Sequence, residues 1–199
     1  MTKIKMCGLS RPCDIEYANE VKPEFIGFVF AEKSRRYVTP EKASELRKNL
    51  DGNIIAVGVF VNADIDFTAE LVKSKIIDMV QLHGSEDDNY VKNLRQLVDV
   101  PIIQAFVIKN PSDIKKAEQS TADYILLDSG LGSGKIFDHS LININRPYFL
   151  AGGLTPENVG EISHSLKPYA VDASSSLETD GYKDINKMRA FANAIRRKD

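Results

Sequence analysis

Ile54-Ile55-Ala56-Val57-Gly58-Val59-Phe60 is apolar at every position, and so is Phe25-Ile26-Gly27-Phe28-Val29-Phe30. A strand wetted on one face alternates apolar and polar residues, whereas a parallel strand buried on both faces reads as an unbroken apolar run. Both stretches are therefore expected to be strands of a parallel sheet covered by helices. Further short apolar runs lie at 3–6, 78–82, 101–106, 123–127, 147–151 and 169–172, which brings the number of candidate strands to eight. Their starts are about 20 to 30 residues apart, the room needed by a strand, a loop and one crossover helix. Thr39-Pro40, Asn110-Pro111 and Thr155-Pro156 each place a capping side chain before a proline that suits the first helical position. Ser85 followed by Glu86, Asp87 and Asp88 marks a fourth start, with acidic residues facing the positive end of the helix dipole. Eight βα units with no break in composition predict an α/β fold, a closed (β/α)₈ TIM barrel forming one compact domain over 1–199, shorter than the usual ~250 residues. A doubly wound sheet of five or six strands is the competing architecture, and it would discard two or three of the predicted strands.

Composition narrows the function classes. The chain has 199 residues, 43% hydrophobic and 27% charged, enough to bury one sizeable core. Its net charge of -2 and interspersed Lys, Arg, Asp and Glu provide no basic field, so nucleic acid is not an expected partner. No apolar run approaches the ~20 residues of a membrane span, and the amino terminus lacks a signal-peptide pattern. A cytosolic protein without a membrane partner is expected. Cys7 and Cys13 match neither a metal-binding spacing nor a disulfide framework, which predicts two free thiols and no metal.

In a barrel of this type the chemistry collects where strands end and the following loops begin. That filter retains Cys7, Arg35, Arg36, Asn62, His83, Asp128, Gly152-Gly153 and the segment from Asp172 to Ser176. Each has a plainer alternative: a buried small residue for Cys7, a solvated pair for the arginines, a loop hydrogen bond for His83, a loop cap for Asp128. The anion-binding signal has three parts: Gly132-Ser133-Gly134-Lys135, Gly152-Gly153 after the seventh strand, and Ser174-Ser175-Ser176 after the eighth. Loops after strands seven and eight are the habitual phosphate site of the fold. The first part is not a nucleotide loop, because Ser129 replaces the first glycine of that motif and Ile136 follows Lys135 where a hydroxyl residue is required. A thiol, a carboxyl group and anion-binding loops predict proton transfer on a phosphorylated small molecule.

Ordered along nearly the whole chain, several segments carry a resemblance. They include Lys5-Met6-Cys7-Gly8, Lys33-Ser34-Arg35-Arg36-Tyr37-Val38-Thr39-Pro40, Val80-Gln81-Leu82-His83-Gly84, Leu126-Leu127-Asp128 and Gly132-Ser133-Gly134-Lys135-Ile136-Phe137-Asp138. Ala151-Gly152-Gly153-Leu154-Thr155-Pro156, Ala170-Val171-Asp172-Ala173-Ser174-Ser175 and Gly181-Tyr182-Lys183-Asp184 complete the series. With these the chain resembles the N-(5'-phosphoribosyl)anthranilate isomerases of tryptophan biosynthesis.

The resemblance implies an intramolecular Amadori rearrangement of a phosphoribosyl substrate without a cofactor, by a monomer or homodimer. It matches the base to Cys7, the general acid to Asp128 and the carboxylate-binding arginine to Arg36. It also matches substrate and phosphate contacts to His83, Gly132, Ser133, Gly134, Gly152, Gly153, Asp172, Ser174 and Ser175. The chemistry would want Asp128 protonated near neutrality and the Cys7 thiol drawn down from its usual ~8.5 toward 7. Departures from the family pattern fall at Met6, usually Ile, at His139, usually Trp, and at Ser176, usually Gly. The alternatives are the histidine-pathway isomerase that performs the same rearrangement, and a phospholigand-binding barrel without catalysis. The former uses a carboxylate where Cys7 stands.

Overall fold

The structure, a computed structural model, describes residues 1–129 and 141–197. The chain runs β1 (Lys3–Cys7), α1 (Pro12–Val21), β2 (Phe25–Val29), α2 (Pro40–Lys48), β3 (Ile55–Phe60), α3 (Ile65–Lys73), β4 (Met79–Leu82) and α4 (Asp88–Leu97). It continues through β5 (Ile102–Val107), α5 (Pro111–Glu118), β6 (Tyr124–Asp128), β7 (Tyr148–Ala151), α6 (Val159–Leu166) and β8 (Ala170–Ala173). A 3₁₀ turn (Ser175–Leu177), two short strands β9 (Glu178–Thr179) and β10 (Tyr182–Lys183), and α7 (Ile185–Arg196) follow. Strands β1 to β8 are parallel neighbours in chain order, and β8 pairs back to β1 with Lys5 opposite Asp172, closing the barrel. All eight predicted strands are present, and the doubly wound alternative is excluded. No helix among the described residues is long and apolar enough to cross a membrane.

Local chemistry explains most of the helix starts. The Thr39 hydroxyl accepts from the Lys42 amide at 3.2 Å and the Asn110 side chain accepts from the Ser112 amide at 2.9 Å, each just before a proline. Two predicted starts are displaced. Helix α4 begins at Asp88 with Asp87 as its cap, accepting from the Tyr90 amide at 2.9 Å, because Glu86 turns away to bind the amides of Asn62 and Gly84. Thr155-Pro156 opens a separate turn, and regular helix α6 starts only at Val159, whose amide reaches back to the Thr155 carbonyl at 3.0 Å. The β9–β10 hairpin was not anticipated. Its two-residue turn, Asp180-Gly181, has φ of 52° and 83°, the left-handed pair that a type I′ hairpin requires.

Alternation along the strands divides the core in two. Ile4, Met6, Ile26, Phe28, Val80 and Leu127 point outward and pack with helix residues such as Ile15, Ala18 and Leu94. The opposite parity, including Phe25, Val57, Met79, Ile103, Leu126 and Phe149, fills the barrel interior. Phe149 meets Phe25 edge-on at 5.4 Å and Tyr124 at 5.7 Å, so aromatic rings plug the lower barrel. Above them the same parity brings Lys5, Cys7, Gln81, Asp128 and Asp172 toward the axis, and the interior changes from apolar to polar. Since Phe149 is fully buried, Phe149→Ala is expected to lower unfolding stability by about 3–5 kcal/mol, measured by urea titration. A loss within experimental error would show that the plug does not carry the lower core.

Candidate active site

A cavity of about 670 Å³ opens at the carboxyl ends of the strands. Its size lies in the range that encloses a small ligand. Cys7, Arg36, His83 and Asp128 line it together with Gly152 and Gly153, and Asp172, Ser174 and Ser175 complete the wall. Of the sequence-predicted site residues within the described part of the chain, all but Asn62 therefore face one space. Gly132, Ser133 and Gly134, and the departure at His139, lie outside the described residues. Asn62 does not line the cavity; its side chain accepts from the amide and hydroxyl of Ser85 and holds the β3 and β4 loops together.

Cys7 ends β1 and is buried. A Cβ on Gly27 of β2 would stand 2.7 Å from its sulfur, so glycine there leaves the volume that the thiol occupies. Burial pushes the thiol up from its ordinary range, as does Asp172, while Lys5 and Lys183 pull it down; burial prevails. The expectation of a thiol drawn down toward neutrality is thus not met, because desolvation of the thiolate outweighs its cationic neighbours.

Asp128 ends β6, and its carboxylate Oδ2 lies 3.2 Å from His83 Nε2. The other ring nitrogen of His83 is 2.8 Å from the Gln81 amide nitrogen, which holds the imidazole edge-on to the carboxyl group. With that amide donating, the ring proton sits on Nε2 and points at Asp128. Gln81 is buried, and its carbonyl oxygen has no hydrogen-bond partner among the described residues. His83 thus contacts the predicted acid directly, while Gln81 is a member of the cluster that sequence reading passed over.

Arg36 comes from the loop after β2 and lies over Gly8, which follows β1 with φ of 81°; a Cβ on Gly8 would stand 2.3 Å from the arginine chain. Its Nε and Nη2 donate to the two oxygens of Glu178 at 2.6 and 2.9 Å, a bidentate pair. Arg35 and Lys183 reach the same carboxylate at 2.7 and 2.6 Å, so three cations surround one buried anion. Among the described residues Arg36 Nη1 makes no hydrogen bond, and the surplus positive charge leaves this corner receptive to a second carboxylate. Glu178 and Lys183 face each other only through the β9–β10 hairpin. The Asp180-Gly181 pair was the sequence signal that could have located them.

Gly152 and Gly153 have φ of 88° and 69°, and a Cβ on Gly152 would come within 2.0 Å of the Ser129 hydroxyl, so only glycine fits the first position. Their amides, like that of Ser175, donate to no described residue. The Ser174 hydroxyl instead donates to the Cys7 carbonyl at 2.9 Å, tying the β8 loop to β1. Asp172 is buried, and both of its oxygens lie 3.0 Å from Lys5 Nζ, so this carboxylate is engaged by a lysine inside the barrel.

Three comparisons with known proteins bear on the chain as a whole. A family model described as N-(5'phosphoribosyl)anthranilate (PRA) isomerase matches residues 4–194. The N-(5'-phosphoribosyl)anthranilate isomerase of Endomicrobium trichonymphae is 43% identical over 202 residues, covering 98% of this chain and 99% of its own. The crystal structure of phosphoribosyl anthranilate isomerase from Thermotoga maritima superimposes with a TM-score of 0.89 at 32% identity, over 98% of this chain and 99% of that one. A further isomerase structure, in complex with reduced 1-(o-carboxyphenylamino)-1-deoxyribulose 5-phosphate, has a TM-score of 0.86 at 31% identity, over 98% and 99% of the two chains.

Burial alone would raise the Glu178 carboxyl, but hydrogen bonds from Arg36 and Lys183, and their charges, hold it below its usual range. A carboxyl lowered in the folded state adds stability that is complete above its unfolded value of about 4.3 and is lost as pH falls through the folded value. The urea midpoint should accordingly start to drop as pH falls below about 5 and keep dropping toward the lowered folded value. The drop should be smaller in Glu178→Gln, and identical acid profiles for the two proteins would contradict this linkage.

Proposed function

Because this chain belongs to the N-(5'-phosphoribosyl)anthranilate isomerase family, we propose that Cys7 is the base, Asp128 the general acid and Arg36 the anchor for the substrate carboxylate. The reaction is the Amadori rearrangement of N-(5-phosphoribosyl)anthranilate to 1-(2-carboxyphenylamino)-1-deoxyribulose 5-phosphate, an isomerisation in tryptophan biosynthesis. The observation that carries the residue assignment is that Cys7 and Asp128, from two strand ends, and Arg36, from the loop after β2, face one cavity of about 670 Å³.

The chemistry proceeds by ring opening, proton removal from C2′ and tautomerisation. Asp128 delivers a proton to the ribose ring oxygen while the anthranilate nitrogen lone pair expels it; the C1′–O bond breaks and a protonated Schiff base forms. His83, 3.2 Å away, orients the carboxyl group. The Cys7 thiolate then removes the hydrogen from C2′. The C–H electrons become the C1′–C2′ double bond, the nitrogen is neutralised, and Cys7 is left as thiol. The enolamine loses its hydroxyl proton and gains one at C1′, which gives the aminoketone. No redox partner is needed, because hydrogen has moved only between adjacent carbons.

Binding follows the charge layout. Arg36, already held in plane by Glu178, presents its remaining edge to the anthranilate carboxylate, as a planar fork does better than a lysine. The uncommitted amides of Gly152, Gly153 and Ser175 suit the phosphate, with Ser174 bracing the loop. Asp172 is the weakest of the proposed substrate contacts, since Lys5 holds both its oxygens and a carboxylate repels phosphate. The cytosol, where small phosphorylated intermediates circulate, is the proposed compartment, with the chain working as a monomer or homodimer.

Asp128→Asn is expected to keep substrate affinity while turnover falls by on the order of 10² to 10⁴. Near wild-type turnover would remove Asp128 from the mechanism. Since burial holds the thiol high, kcat/KM should still be climbing with pH beyond the ordinary thiol value of about 8.5. A profile flat from neutrality upward would show that thiol ionisation does not limit the reaction.

A further inference from the structure

Lys5 lies one strand pleat below Cys7 on the interior side of β1, and it is completely buried. A lysine inside a barrel is tolerated only when its charge is paired and its donors are used. Two donors are taken by the Asp172 oxygens, each at 3.0 Å, and Cys7 stands two residues further along β1 with its side chain on the same interior face. An ammonium group has three donors, so one remains beyond the two that Asp172 takes. We propose that Lys5, anchored by Asp172, is the positioning residue that makes Cys7 a usable base by stabilising its thiolate in a buried site.

The argument rests on the assignment of Cys7 as base. Removing its proton creates a negative charge on a buried atom, and a cation on the same interior face offsets that cost. The other charged groups around the sulfur do not replace Lys5. Lys183, from β10, is committed to Glu178 at 2.6 Å and to the Ser174 carbonyl at 3.1 Å. Arg36 is held by Glu178. Asp172, from β8, opposes thiolate formation, and His83 and Asp128 act mainly on Asp172. Gly27, under the sulfur on β2, carries no charge. Burial works against the Lys5 charge, but Asp172 and Cys7 together hold it protonated. Asp172 is pushed up by its own burial, and the contact with the ammonium keeps it in the ion pair.

The test is the rate of Cys7 alkylation by iodoacetamide as a function of pH, in a Cys13→Ser background so that one thiol reports. Lys5→Met should move the rising limb to higher pH and slow alkylation near neutrality by on the order of tenfold. Lys5→Met leaves Asp172 buried without a partner and is at risk of misfolding, so Lys5→Met with Asp172→Asn is the companion variant, free of charge at both positions. It too should show the limb at higher pH. In turnover, the loss caused by either variant should shrink as pH rises, because thiolate then forms without help; a purely structural role would give a loss independent of pH. An unshifted alkylation limb in a folded variant overturns the inference. Alkylation reads the thiol itself, so failure of the base assignment appears separately, as wild-type turnover by Cys7→Ala.

Discussion

Pairing of β1 with β8 is the constraint from which the site follows. It sets Lys5 opposite Asp172, residues far apart in the chain, and closes the sheet so that one parity of every strand must point inward. Interior positions then have only two outcomes: close packing of apolar groups or a polar cluster whose members satisfy one another. The lower barrel takes the first, with Phe25 and Phe149 in edge contact. The upper barrel takes the second. There Lys5, Asp172 and Cys7 occupy one wall and Gln81, His83 and Asp128 another, so base and acid stand on opposite sides of a space that admits a sugar.

Charge is distributed around that space with the same economy of contacts. Glu178 gathers Arg35, Arg36 and Lys183, an excess of cations over one anion, next to the cavity rim. The phosphate side relies on backbone instead: two successive left-handed glycines and the turn after β8 present amides with no formal charge. A ligand with a carboxylate at one end and a phosphate at the other is thereby oriented by unlike donors, a planar guanidinium and a set of amides.

Much of this was legible in the sequence, for identifiable reasons. Burial on both faces leaves runs such as Phe25–Phe30 continuous, so the strands could be found without an alternating pattern. The start of α4 was displaced because Ser85 and Asp87 can both cap, and the competition was decided by Glu86 binding the Asn62 and Gly84 amides across two loops. The β9–β10 hairpin escaped notice because two-residue strands have no period. Lys5 reads as a solvated strand residue until the barrel closes; only its parity with Cys7 hints otherwise. The direction of the Cys7 titration depends on burial set against Lys5, Lys183 and Asp172 together, and one-dimensional reading has no access to such a balance.

The central claim is that Cys7 and Asp128 act from opposite walls on a substrate held by Arg36 at one end and by backbone amides at the other. A crystal structure with a stable analogue of the aminoketone product tests it most directly. The account predicts the carboxylate on Arg36, the phosphate on the amides of Gly152, Gly153 and Ser175, and C2′ within about 4 Å of the Cys7 sulfur, close to reacting distance. A ligand bound in the reverse sense, or one whose C2′ lies out of reach of Cys7, would contradict it.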